Sequence, residues 1–457
     1  MTLINVSYQL QIWSAVALFL LVSVLSQTAH ALSAEDARHL TERIAFGESA
    51  DQLRRMSHMS RENAVEMYVQ QASRGCESET VPYWASDRLE SAPATDADSQ
   101  LRHQKKRYGR RVALQTWWLN GMVASTTPLC DRLALFWHQY FPIQVHQTTS
   151  ESAAIRQVQR LRQQALGNFR DILRDMSRDP AMQEFLGLTS NRKAHPNENY
   201  ARELMELYTL GSGHYSEQDV REAARAYTGW RTIRRLGLFV MWWPDHDFGQ
   251  KQFLGQTGRW DGDDVVDIIL QQPRTAEFMV EKLWREFISP TPAPAEVSRL
   301  AALLRRDWEI RPVIDTLLRS PYFWAADSRG TLTKSPVDLA VGVLRQAGAS
   351  PSNGNALAAW TWAMGQGLYF PPDVKGWRGG AAWITAQTLQ TRESFLSGLA
   401  SGYSDDVIAT LVQQVYEYPG FDEQSLMADS SELRRSLSTK ARAEVATKAS
   451  QLAYQLK

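Results

Sequence analysis

From Asn191 to Trp230 the apolar positions fall into two helical stripes separated by a glycine turn. Tyr200, Leu204, Leu207 and Tyr208 recur at three- and four-residue spacing, which predicts one buried helix face. Asn199, Arg202, Glu203 and Glu206 fall on the opposite face, because residues three and four apart are neighbours on a helix. Pro196 suits the opening position of this helix. Gly211-Ser212-Gly213 provides a left-handed exit, and Ser216 with Asp219 reads as a capping box for the next helix. Val220, Ala223, Ala224 and Tyr227 form that helix's buried stripe, which Gly229 ends.

The same periodicity predicts helices over 34–46, 60–72, 108–124, 152–176 and 181–188, and one opened by Pro128 in PLCDRLALFWHQYF. Further helices are expected over 263–271, 275–288, 294–306, 312–318, 336–346, 356–364, 385–400 and 404–416, with a peripheral helix in the charged tail from Asp422. Residues 74–100 read as loop. The pattern turns strand-like at Leu236–Trp243 and again at QFLG, with PDHDFGQK as the turn that would present His246 and Asp247. The fold class is therefore mainly α: a large multi-helix globular domain with a small inserted β-hairpin at about 236–254. No solenoid period is present.

A chain of 457 residues, 44% apolar, can bury a large core, and its balanced charge argues against a nucleic-acid groove. Ile12 to Leu25 is mostly apolar and precedes Ala29-His30-Ala31, the small-x-small pattern of signal-peptidase cleavage. We therefore expect a signal peptide over 1–31, a mature chain from Leu32, and a periplasmic or secreted location. Residues 1–11 lack Lys and Arg, so retention of the segment as an anchor is the alternative. The two cysteines, Cys76 and Cys130, are either one disulfide or two buried thiols, too few for a zinc site built on cysteine.

Candidate chemistry concentrates on the first helix of the hairpin. Two Asn, one Arg and three Glu lie between Asn197 and Glu206, with His195 and His214 flanking them. Glu203 and Glu206 are the candidate metal ligands or acid–base groups; Arg202, Asn197 and Asn199 would orient an anionic substrate; His214, His138 and His246 would complete the site. A divalent metal is the cofactor such a set could hold. Two acids one turn apart cannot flank a glycosidic bond, so a metal or phosphate-like ligand suits them better. The same cluster could instead be a structural network of ion pairs, and His138 in an aromatic helix reads more simply as a core residue. GQGLYFPPDVKGWRGGAAWI cannot be helical throughout; it is either a functional loop offering Lys375 and Trp377 or a rigid wrap with Trp377 and Trp383 packed down. No nucleophile elbow, phosphate loop, zinc helix motif or EF-hand is present.

The stretch NRKAHPNENYARELMELYTLGSGHYSEQDVREAARAYTGW resembles the central signature of DUF1800, a large bacterial family known as a domain of unknown function. LALFWHQYF, QQALGNFRDIL, HDFGQKQFLG, KLWREFIS, KSPVDLAVGVLRQ and PPDVKGWRGGAAWI resemble its other blocks, in the same order. The resemblance spans roughly 34–400 and leaves 401–457 as a helical extension. It implies an exported protein and a partner, because many members are encoded beside a second exported family similar to the sulfatase and alkaline phosphatase superfamily. The aromatic block of the family tends to carry a second His where this chain has Tyr140, which puts a paired-His metal site in doubt, and His195 is not required by its pattern. Two functions follow as expectations. One is an envelope enzyme using a carboxylate/histidine site between helices for metal-assisted or anionic-substrate hydrolysis. The other is a non-catalytic binding or maturation partner of the sulfatase/phosphatase-like protein, gripping a glycan or anionic ligand.

Overall fold

Short polar side chains start most of the helices. Ser33, Ser60, Asn168, Asp179, Ser216, Asp261, Ser335 and Thr385 each accept a hydrogen bond from a first-turn backbone N–H, satisfying donors that have no partner inside the helix. Pro128, Pro273, Pro294 and Pro336 open four helices, where a fixed φ and a missing N–H are tolerated. The computed structural model describes residues 31–76, 80–86, 96–146, 151–233, 236–349, 355–415, 423–449 and 451–457. The expected signal segment lies outside them, as does part of the expected loop over 74–100.

The protein is 65% helical, with twenty-one α-helices and two small antiparallel hairpins among the described residues. Its centre is the Pro128–Tyr140 helix, buried along its whole length except at Gln139. Ala34–Ile44, Arg61–Ser73 and Glu151–Gln163 pack around it. Cys76 and Cys130 form a disulfide, which ties the segment after Arg61–Ser73 to the first turn of the central helix. Pro336–Gln346 and Ala356–Ala363 pack on the long Ala97–Ala124 helix, and Ala386–Ser401 carries the C-terminal helices Glu423–Arg435 and Thr439–Ala449.

The Ser216/Asp219 capping box forms as expected, and Gly211, Gly213 and Gly229 adopt positive φ. Other expectations need correction. Residues 152–176 are two helices, Glu151–Gln163 and Phe169–Arg178, because Asn168 caps the second and the backbone there turns to bond Trp308. Pro196 precedes its helix by three residues instead of opening it. The helix runs Asn199–Glu206, and Asn191 and Asn197 take up the backbone N–H groups of Asn197 and Asn199 in the turn before it. The strands also pair differently: Leu238–Met241 turns back onto Trp230–Ile233, and Lys251–Phe253 pairs forward with Gln256–Gly258. His246 and Asp247 therefore lie between two hairpins and not at a tip. The tail from 423 forms two helices and a closing segment instead of one peripheral helix.

Candidate functional site

The three candidate histidines are not brought together. His138 is fully buried; its Nε2 accepts the Tyr369 N–H at 3.2 Å while its ring sits among Trp118, Tyr369 and Trp377. Burial holds its pKa down at about 3, so the ring is neutral. His246 bonds the Thr228 carbonyl at 2.8 Å and packs edge-on to Phe248, fastening the segment between the hairpins. His214 is exposed in the glycine turn. Among the described residues no three His, Cys, Asp or Glu side chains form a set that could ligate the expected divalent ion.

Arg202 is occupied elsewhere: its guanidinium grips Glu217 at 2.6 and 2.8 Å and Glu198 at 3.1 Å at the surface. Asn197 and Asn199 donate to the carbonyls of Gly187 and Leu186, so both hold the turn that starts the helix. Glu203 and Glu206, one turn apart on the helix, do interact electrostatically. Lys375 lies 3.6 Å from Glu206, and the Tyr215 hydroxyl donates to the same carboxylate at 3.3 Å. Partial burial and the neighbouring Glu206 raise the pKa of Glu203, against the pull of Lys375 and Arg202.

Lys375 connects that pair to a cavity of about 480 Å³, within the size range of small-molecule sites. Arg132, Leu135, Phe136, Gln139 and Tyr140 supply one wall at helical spacing from the central helix. Lys282, Arg285 and Glu286 face them from the Pro273–Phe287 helix. Asp338 and Lys457 close the floor, and Lys375, Trp377, Arg378 and Trp383 come from the Gly/Pro/Trp segment. In that segment Trp377 and Trp383 are packed down while Lys375 stands exposed at the cavity, so it has features of both expected alternatives. Val145, Gln139 and Gln144 donate to the carbonyls of Tyr369, Trp377 and Pro371, and both Trp377 and Trp383 are buried. Gly376 passes against the central helix, where an added Cβ would lie 2.9 Å from the Gln139 carbonyl.

The cavity lining carries six cationic side chains against two acidic ones. Arg132 pairs with Glu286 at 2.6 Å and with Asp338, and Lys457 donates to Asp338 at 2.8 Å. Burial lifts the Glu286 pKa, while the two carboxylates outweigh burial at Arg132 and hold its pKa above the usual arginine value. Lys282 is different. The acid beside it in sequence, Glu281, is shared by Arg274 at 2.6 Å and Arg285 at 3.4 Å. The Lys282 ammonium rests over the Phe278 and Tyr140 rings at 5.1 and 5.9 Å, with no hydrogen-bond or carboxylate partner among the described residues. Burial depresses its pKa, and Arg285 adds to the effect. A charge held at ring faces and away from water attracts an incoming anion more strongly than one already paired.

Arg132, Lys282, Arg285, Glu286, Asp338 and Lys457 were not among the candidates from sequence. One signal was present: Asp131-Arg132 inside an otherwise apolar helix demands buried partners.

Fold and cavity together define a mainly helical protein with a cationic, aromatic-walled cavity beside its central helix. The chain belongs to the family described as Protein of unknown function (DUF1800), which matches residues 39–456 of the 457-residue chain. That match runs through the C-terminal helices and the segment that brings Lys457 to the cavity. No curated protein and no solved structure matches the chain.

Proposed function

We propose that this protein captures an anionic carbohydrate, one carrying a sulfate, phosphate or carboxylate group, in the cavity between the central helix and the wrap. The observation that carries the reading is Lys282, a half-buried ammonium in the cavity wall with no carboxylate ion-paired to it among the described residues. Arg285, Arg378 and Lys375 reinforce the field at the mouth, and Phe136, Tyr140, Trp377 and Trp383 line the cavity with ring edges against which the apolar side of a sugar can rest. The disulfide supports an exported protein, since such bonds persist in oxidising compartments.

A hydrolytic role for Glu203 and Glu206 is the second reading, favoured by the raised proton affinity of Glu203 next to an ion-paired Glu206. In it, water attacks the reacting centre as Glu203 hands a proton to the leaving oxygen, the proton lost by the attacking water restores Glu203, and Lys375 holds the charged group. A co-exported sulfatase- or phosphatase-like partner would handle ligands of the same class.

Titration calorimetry with inorganic sulfate, a sulfated disaccharide and an uncharged disaccharide tests the proposal. The sulfated sugar should bind, more weakly as salt rises, and Lys282→Gln should weaken it by about tenfold or more, the loss expected for one charge-assisted contact. Arg202→Gln should leave binding unchanged. Equal binding of the charged and uncharged sugars, or unaltered affinity in Lys282→Gln, would sink the reading.

A further inference from the structure

Three lysines line the cavity, and an amine can do what the neighbouring guanidiniums cannot: release a proton and present a lone pair. Lys375 faces Glu206 at 3.6 Å, and Lys457 is held by Asp338 at 2.8 Å. Lys282 has no such hold. Its nitrogen lies over Phe278, a ring of its own helix, and over Tyr140 of the central helix, whose hydroxyl is committed to the Tyr208 carbonyl at 2.5 Å. Burial, and then the Arg285 charge, lower its proton affinity, while Glu281 raises it. A lysine kept from water beside a second cation is the setting in which an amine becomes a nucleophile.

The neighbours of Lys282 supply the rest of the chemistry. Glu286 stands four residues further on, one helical turn along the same face, and lines the same cavity. Arg132 holds its Oε1 at 2.6 Å, and burial raises its pKa above the usual glutamate value, so it accepts a proton more readily than a surface carboxylate. Arg285 on the same helix, with Lys375 and Arg378 on the facing segment, provides charge for an anionic group.

We propose that Lys282 condenses with the carbonyl carbon of the captured anionic sugar, in its open-chain form, to give an imine. The inference rests on the capture reading above and requires of that ligand a reducing end. Glu286 takes a proton from the ammonium, and the freed lone pair forms the C–N bond as the carbonyl π pair moves onto oxygen. A proton passes from nitrogen to that oxygen, giving a carbinolamine. Glu286 then returns its proton to the hydroxyl, which leaves as water while the nitrogen lone pair closes the C=N bond. Ammonium and carbonyl have become protonated imine and water, with the total charge unchanged and Glu286 again a carboxylate. The positive nitrogen therefore stays over Phe278 and Tyr140, whose faces favour a cation before and after the reaction. A sugar whose anomeric carbon is locked can be held but not joined.

Glucose 6-phosphate and glucose 1-phosphate carry the same anion on the same ring, and only the first opens to an aldehyde. The full chain would be incubated with each in sodium cyanoborohydride, which adds hydride to an imine and leaves a stable secondary amine. Modified lysines would be mapped by peptide mass spectrometry, and calorimetry without the reductant would report capture. Glucose 6-phosphate should mark Lys282 at least about tenfold ahead of the exposed Lys105 and Lys193, because the bound sugar is held against the amine. Glucose 1-phosphate should mark nothing and, in excess, should protect Lys282. Lys282→Arg keeps the charge but cannot form an imine, so the adduct should vanish. Glu286→Gln, with an unchanged circular dichroism spectrum, should slow its formation by about tenfold or more. Binding of glucose 6-phosphate without a Lys282 adduct would overturn the inference and leave the capture reading standing. Failure of both sugar phosphates to bind would overturn capture itself. Labelling spread evenly over exposed lysines would overturn the inference as ordinary surface glycation, and an unchanged rate in Glu286→Gln would remove Glu286 from the proton transfers.

Discussion

At the scale of single residues, the neutral state of His138 is a stability term. The unfolded chain's imidazole titrates near 6.5, whereas burial keeps the folded one neutral down to about 3. His39, buried against Phe323 and beside Arg43, is likewise held down at about 4. Below pH 6.5 the unfolded state therefore takes up protons that the folded state refuses. Stability is full above that pH and falls as acid is added, by up to about 1.4 kcal/mol per pH unit for each ring. Thermal melts from pH 7 to pH 4 should show Tm declining, and His138→Gln should flatten the decline, because its amide oxygen can still accept the Tyr369 N–H without titrating. A variant with an unchanged slope would remove His138 from the account. The core reading of this histidine was legible from the apolar residues around it. Its partner was not, since Tyr369 lies 231 positions away and no local spacing marks it.

At the scale of elements, local signals were reliable where the physics is local. The Ser216/Asp219 box and the glycine exits depend on groups a few residues apart, and they form as read. Strand pairing did not follow, because Leu238–Met241 could have paired in either direction and the choice rests on Trp230 docking in the core. The polar face of the Asn199–Glu206 helix divides for a related reason. Arg202 and the asparagines find partners within the turn and the neighbouring helix, so their density reflects capping and ion pairing. The cavity, by contrast, draws one to three charges from each of several distant segments, and no single stretch reveals it. The wrap is its most exacting wall. Gly376 has φ of +77°, and a methyl group there would press on the Gln139 carbonyl. Gly376→Ala should cost about 2 kcal/mol or more, measured by denaturant unfolding, and should weaken the capture of a sulfated sugar by displacing Lys375 and Trp377. Wild-type stability in that variant would mean the wrap is not pressed against the helix.

For the whole molecule, the Cys76–Cys130 bond closes a span of 54 residues onto the central helix. Cys76→Ser/Cys130→Ser should lower unfolding free energy by about 2–4 kcal/mol, and a reducing agent should do the same to the wild type while leaving the variant unaffected. Coinciding denaturation curves for oxidised and reduced wild type would contradict this. The far end of the chain is bound as firmly into the same body. Leu332 and Lys334 exchange backbone hydrogen bonds with Lys457 and Gln455, and Lys457 reaches Asp338 beneath Arg132. Residues 455–457 thus act as a clasp whose grip is felt far away: a change there acts on Asp338, and through Asp338 on Arg132 in the central helix, so two segments distant in the chain are joined as closely as the two ends of one turn of helix.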